Sequence, residues 1–323
     1  MTYIFARACI LLALSDVGAV LAQSGALPDP TPEIRRQELR QEQLRREQDS
    51  KPSVRLSAQA PFLAQRLRQE ETCRSINEVV FEGLPTLHVQ LAASLTGDEL
   101  EDSPIGRCVG VQGIAVLADR ARNALIAYGY ITSRIEVPAQ DLSTGRLLLS
   151  VIIGRVAVIE KRAGEALIRH TDPVVAGETL NLRDIEQSLE NLRRNPSVQA
   201  DFQLRPGVQV DTSDIVLDYN RQRPLRANLT LDDSGSRATG KLMSQGTLSW
   251  DSPLGLSDLA YLSIGRDVGQ RQEGPRGNES QTLHYSVPWG YWLMGVTLSR
   301  SNYWQTIAGA FQSYLYSGQT QLT

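Results

Sequence analysis

From Leu225 onward the chain alternates. In LRANLTLDD, Leu225, Ala227, Leu229 and Leu231 fall on one side of an extended backbone, and Arg226, Asn228, Thr230 and Asp232 fall on the other. The period of two recurs four more times. Leu242, Leu248 and Trp250 oppose Lys241, Gln245, Thr247 and Ser249, and Ala260, Leu262 and Ile264 oppose Tyr261, Ser263 and Gly265. Leu283, Tyr285, Val287 and Trp289 oppose Thr282, His284 and Ser286, and Trp292, Met294, Val296 and Leu298 oppose Gly295, Thr297 and Ser299. A sixth run, Phe311–Gly318, leaves its face open because Leu315 and Tyr316 compete for it. A soluble sandwich alternates in the same way. Two features point instead to a membrane β-barrel: the polar face is polar along its length, and Trp250, Trp289, Trp292 and Trp304 lie at or near run ends, where an aromatic girdle belongs.

Before Leu225 the period lengthens. Ile76–Phe81 reads as a strand, Ile114, Leu117, Ala118, Ala121 and Leu125 make a helical stripe, and Tyr128-Gly129-Tyr130 ends that helix. Ile131–Val137 and Arg146–Ile153 read as strands around a turn at Asp141–Gly145. A second unit repeats this order. Arg155–Ile159 reads as a strand, Leu182, Ile185, Leu189 and Leu192 as a 3-4-3 helical stripe stopped by Asn195-Pro196, and Asp201–Arg205 and Asp214–Tyr219 as strands around Pro206-Gly207. Repetition of supersecondary order is stronger than any single assignment.

The first 22 residues read as a signal peptide, with Arg7 in the positive region, an apolar stretch to Leu21 and cleavage between Ala22 and Gln23. Removal of that leader takes Cys9 away. Only Cys73 and Cys108 remain, in an oxidising compartment, which predicts a disulfide between them rather than two free thiols. Residues 33–48 are all good helix formers, with Glu42/Arg45 and Glu42/Arg46 at pairing distance, yet Ile34, Leu39 and Leu44 recur every five residues and make no apolar stripe. Such a helix sits in water or in a polar cavity. Residues 49–72 read as linker.

Composition narrows the function. The chain has 323 residues, a formal net charge of −3 and 21% charged residues, which argues against a basic nucleic-acid binder. It contains no run of 18 uncharged apolar residues, so a helical span is not expected. No G-x-x-x-x-G-K-[ST] motif occurs, and His88, His170 and His284 stand without nucleophile or metal-ligand patterns, so no cofactor, metal or catalytic site is expected.

LDDSGSRATGKLMSQGTLSWDSPLGLSDLAYLSIGRD resembles the opening barrel strands of two-partner secretion transporters of the haemolysin-activator and filamentous-haemagglutinin type, and QTLHYSVPWGYW resembles their next hairpin. RDIEQSLENLRRNPS is similar to the helix of their second POTRA domain, and Cys73 and Cys108 match the paired cysteines of many first POTRA domains. Ser252, where the family often has asparagine, is a minor departure. The resemblance implies an α+β region followed by an all-β one. Its parts are a signal peptide (1–22), a segment with a pore-plugging helix (23–48), a linker (49–72), β-α-α-β-β POTRA domains (73–153 and 154–221) and the start of an outer-membrane barrel (222–323). It also implies export of one large β-rich haemolysin, adhesin or toxin, held by periplasmic domains through strand addition at an exposed edge. In the first unit that edge is expected at Ile131, Thr132, Ser133, Arg134, Ile135, Glu136 and Val137. The expected partners are the secreted client, outer-membrane lipid and the barrel-assembly machinery. Family barrels have sixteen strands and a later Val-Arg-Gly-aromatic motif, so the 323 residues are expected to be a fragment or truncated product without a pore of its own. Two other readings remain, an outer-membrane assembly factor and a soluble periplasmic scaffold.

Overall fold

The computed structural model describes residues 31–48, 53–56, 66–96, 102–162, 173–268, 277–307, 310–316 and 320–322. The expected leader and its Ala22–Gln23 cleavage point lie outside the described residues. The chain opens with helix α1 (Thr31–Gln48), as its helix-forming composition predicts.

The first unit follows. Strands β1 (Arg74–Ile76) and β2 (Glu78–Glu82) replace the single strand expected over Ile76–Phe81. The break falls at Asn77, where Asn77 and Glu78 both donate their N–H to the Gly145 carbonyl, at 2.7 and 3.1 Å. Helix α2 (His88–Ser94), strand β3 (Arg107–Val109), helix α3 (Val111–Ala127), strand β4 (Arg134–Glu136) and strand β5 (Arg146–Ile152) complete it. β5 is central, parallel to β2 and antiparallel to β4, while β1 and β3 form a separate ribbon. The predicted stripe of α3 packs inward: Leu117, Ala121 and Leu125 are fully buried among Ile76, Leu91, Leu147 and Leu149.

Among the described residues the second unit consists of β6 (Arg155–Arg162), α4 (Leu182–Arg193), β7 (Val198–Pro206) and β8 (Thr212–Arg221). Residues 163–172, between β6 and the expected helix of the 3-4-3 stripe, lie outside the described residues. Its plan repeats the first, with β8 central, parallel to β6 and antiparallel to β7. Leu182, Ile185, Leu189 and Leu192 are buried as their spacing requires. Asn181 caps α4, its Oδ1 accepting the Arg183 N–H at 2.9 Å.

The remaining strands form one antiparallel meander: β9 (Leu225–Asp232), β10 (Met243–Asp251), β11 (Leu259–Asp267), β12 (Gly277–Trp289), β13 (Trp292–Ile307), β14 (Ala310–Tyr316) and β15 (Thr320–Leu322). β14 and β15 run along the same edge of β13, through Ser301↔Tyr316 and Val296↔Leu322, so the seven strands occupy six positions. Burial is inverted relative to a soluble sheet. Leu229, Leu231, Leu248, Trp250, Ile264, Leu283 and Trp292 are exposed, whereas Thr247, Ser249, Ser263, Thr282, His284 and Ser286 are buried. Trp250, Trp289 and Trp292 gather at the end of the sheet that holds the β12–β13 turn, and Trp304 lies toward the other end, opposite Gly277.

Candidate functional site

The polar face of the sheet is buried because α1 lies on it. Gln37 Nε2 donates to Asn278 Oδ1 at 3.2 Å, and Ser249 Oγ donates to Gln48 Oε1 at 2.5 Å. Leu44, the most buried apolar residue of the helix, packs on Leu259 and Tyr261. One gap between helix and sheet, bounded by Gln37, Gln41, Leu44, Gln245, Ser263 and Thr282 among others, is about 20 Å³, room for about one water. An open cavity of about 410 Å³ lies between Glu47 and Gln48 and the Arg226–Asn228 stretch of β9. Gln37, Gln41, Leu44 and Gln48 follow a 4-3-4 spacing, so the helix does have a contact stripe. It is polar, which is why a search for apolar recurrences misses it.

The segment expected to be plain linker is attached at two places. Val54 is buried between α4 and β7, against Leu189, Leu192, Val198 and Ala200. Its N–H donates to Glu190 Oε1 at 3.1 Å, and the Leu56 N–H donates to Glu186 Oε1 at 2.9 Å. Burial pushes the Glu186 carboxyl upward, but the Arg183 hydrogen bond, the Leu56 N–H and the charges of Arg183 and Arg55 outweigh it and hold the group below its ordinary value. Further on, Glu70 caps α3 from outside the helix. Its carboxylate accepts N–H bonds from Gly113 at 2.7 Å, Gly110 at 3.0 Å and Gln112 at 3.1 Å. Gly110 has no side chain to cap with, and a Cβ there would overlap Glu70, while one at Gly113 would overlap Val109 and crowd Glu70. The Gly113 bond does most to keep the Glu70 carboxyl low, against burial and with help from Gln112 and Gly110. Cys73 and Cys108 are joined in a disulfide with Cα atoms 5.2 Å apart, pinning the same ribbon that leads into α3.

The second unit is fixed to the end of the sheet through α4 and its flanks. Asn191 Nδ2 donates to the Gly290 carbonyl at 2.8 Å, the Tyr291 hydroxyl donates to Asp184 Oδ1, and Arg194 Nη2 donates to Ser286 Oγ at 2.6 Å. Asp251, wholly buried, accepts from the Ser197 N–H at 3.0 Å and from Arg226 Nη2 at 2.9 Å, while Arg221 reaches its carbonyl at 2.6 Å.

The expected client edge is only partly a strand. β4 covers Arg134, Ile135 and Glu136, and it is an edge of its sheet. Ile131, Thr132 and Ser133 belong instead to the junction between the units. Ile131 packs against the core of the second unit, Ser133 Oγ accepts the Gly154 N–H at 3.1 Å, and a Cβ on Gly154 would overlap Thr132. Arg134 pairs with both Glu136 and Asp211 of the second unit. Ile135 is buried and Val137 exposed. Alternation alone cannot tell a free edge from one end of a joint.

Residues 211–323 match the family model described as haemolysin secretion/activation protein ShlB/FhaC/HecB, residues 75–154 match a ShlB-type POTRA domain, and residues 161–206 match a POTRA domain. The chain belongs to the haemolysin secretion/activation family. Within that family it is 38% identical over 219 residues to outer membrane transporter CdiB-2 of Burkholderia pseudomallei strain 1026b, covering 66% of this chain and 37% of the relative. It is 29% identical over 240 residues to haemolysin transporter protein ShlB of Serratia marcescens, covering 74% and 42%. The chain thus spans about two fifths of the length of these curated relatives. Among solved structures it is similar to CdiB from Acinetobacter baumannii, with a TM-score of 0.73, 25% identity, and coverage of 88% of this chain and 56% of that one. CdiB from Escherichia coli gives a TM-score of 0.65 at 26% identity, over 89% and 54%. Two POTRA units followed by an open run of barrel strands is the architecture of this haemolysin secretion/activation chain.

Proposed function

We propose that this chain acts in two-partner secretion, as part of an outer-membrane transporter that passes one large β-rich exoprotein of the haemolysin, adhesin or contact-dependent toxin type. Residues 73–153 and 154–221 serve as its periplasmic POTRA domains, and residues from 222 enter the barrel. The observation that carries the reading is the inverted sheet. An apolar face exposed on β9 to β13 fits lipid, and a polar face on β10 to β12 covered by a polar helix fits a closed water-lined pore. α1 then acts as the plug. Capture of an extended client segment draws on strand edges; β4 offers three residues, and β7, on the outside of its sheet, offers nine. The barrel-assembly machinery inserts the finished protein, and lipid contacts the exposed face.

The test is export in a strain that lacks its own transporter. The complete protein is expressed beside a matched exoprotein, and the exoprotein is assayed in the medium and in the periplasm. Export reading expects the client in the medium only when the transporter is present. A client that stays periplasmic while other barrels assemble more efficiently would overturn it in favour of an assembly factor.

A further inference from the structure

Helix α3 ends in a pattern that leaves two carbonyls over. The Gly129 N–H donates to the Ile126 carbonyl and the Tyr130 N–H to the Leu125 carbonyl, both at 2.9 Å, with Gly129 at φ +92°. Just past the last helical residue, Ala127, the carbonyls of Tyr128 and Gly129 face the second unit. Both are taken by the start of α4. The Leu182 N–H donates to the Gly129 carbonyl at 2.8 Å, and Asn181 Nδ2 donates to the Tyr128 carbonyl at 3.3 Å. The same Asn181 side chain caps α4 through Oδ1. One amide therefore closes the C-terminus of one helix and the N-terminus of the next, where the negative end of one helix dipole meets the positive end of the other. Gly129 permits the approach, since a Cβ there would overlap Asn181 Oδ1. Along its length α4 is bonded to the β12–β13 turn through Asp184–Tyr291 and Asn191–Gly290.

We infer that Asn181 is a positioning residue that locks α3 and α4 into one strut, so that the first unit is held in a set orientation to the second unit and, through α4, to the β12–β13 turn of the barrel. The inference goes beyond the export reading and concerns the mechanics of the protein whatever its client.

Asn181→Asp separates the two roles of the side chain. Aspartate is as good a helix cap as asparagine, so α4 keeps its Arg183 bond. The atom facing the Tyr128 carbonyl, however, changes from a donor to an acceptor and repels it. Spin labels are placed in the full protein, with Cys9 changed to serine, at Val89 of the first unit, Val208 of the second and Leu254 of the β10–β11 turn, positions 79%, 101% and 64% exposed. The expected result is a broadened and shifted Val89–Val208 distance distribution, with the Val208–Leu254 distribution and the thermal midpoint unchanged. An unchanged Val89–Val208 distribution overturns the inference. So does broadening of both distributions with a fall in midpoint, which would reduce Asn181 to a cap. Asn181→Ser, another good cap with a side chain too short for Tyr128, decides the matter by the same criteria if Asn181→Asp does not fold.

Discussion

The charges that matter most in this chain are those taken out of water. Arg120 on α3, 6% exposed, donates to the Leu95 carbonyl at 2.8 Å and to the Asp102 carboxylate, which also takes Arg107 and the Leu67 N–H. Removing the acid takes a charged hydrogen-bond acceptor away from a buried guanidinium. Asp102→Ala is therefore expected to destabilise the first unit by about 3–5 kcal/mol, seen as a lower denaturant midpoint, while the conservative Arg107→Lys on the exposed side of the cluster changes it little. Glu186 is tied to pH. Its folded pKa lies below the ordinary glutamate value of 4.5, so the stability it supplies is complete above 4.5 and is lost as the pH falls through the folded value. Hydrogen-exchange protection of the Leu56 amide, which donates to Glu186, should fall on acidification below that point, and Glu186→Gln should remove this acid limb. Arg107 lies only five positions from Asp102, but Arg120 and Leu67 lie 18 and 35 positions from it and Leu56 lies 130 from Glu186, and no local pattern in the sequence links those pairs.

At the scale of elements, legibility followed burial chemistry. The α3 and α4 stripes were readable because aliphatic side chains at 3-4 spacing have one stable environment, a core. The α1 stripe was not, because glutamine reads as solvent-facing until a polar wall is set against it. The docking of the linker is hidden in the sequence for a related reason: Val54 and Leu56 are isolated apolar residues in a polar stretch, and only the notch between α4 and β7 gives them a role. Val54→Ala is expected to cost about 1–3 kcal/mol in the second unit, measured as a shift in its denaturant midpoint, although the substituted residue belongs to neither of its strands nor its helix. A midpoint unchanged by the substitution would mean that the strap lies on the unit without supporting it. The expected strand Ile131–Val137 is shorter because the core of the second unit takes Ile131 and Gly154 takes Ser133.

For the whole molecule the decisive feature is which face of a sheet meets which solvent. Cysteines substituted singly at Thr247, Leu248, Ser249 and Trp250 in the membrane-inserted protein should alternate in reactivity. Positions 248 and 250 should react with a lipid-soluble maleimide and positions 247 and 249 should not, since the latter two are buried under α1 and the former two are exposed. Equal reactivity at all four would contradict a barrel wall and favour a soluble sheet.

Alternation, stripe spacing and turn residues are local, and the sequence by itself determined the elements they encode: two units in series that each run strand, helix, strand, strand, and a run of antiparallel strands with one apolar face. It also determined that one face of those strands is apolar, because side-chain direction in an extended chain has a period of two whatever the surroundings. Tertiary structure alone decided which residues of α1 meet the polar face, Gln37, Leu44 and Gln48 among them, that the strap is docked at Val54 and Glu70, and that Asn181 joins two helices from different units. Those facts depend on pairs of residues brought together across tens to hundreds of positions, where the energy of contact, and no repeat in the chain, selects the partner.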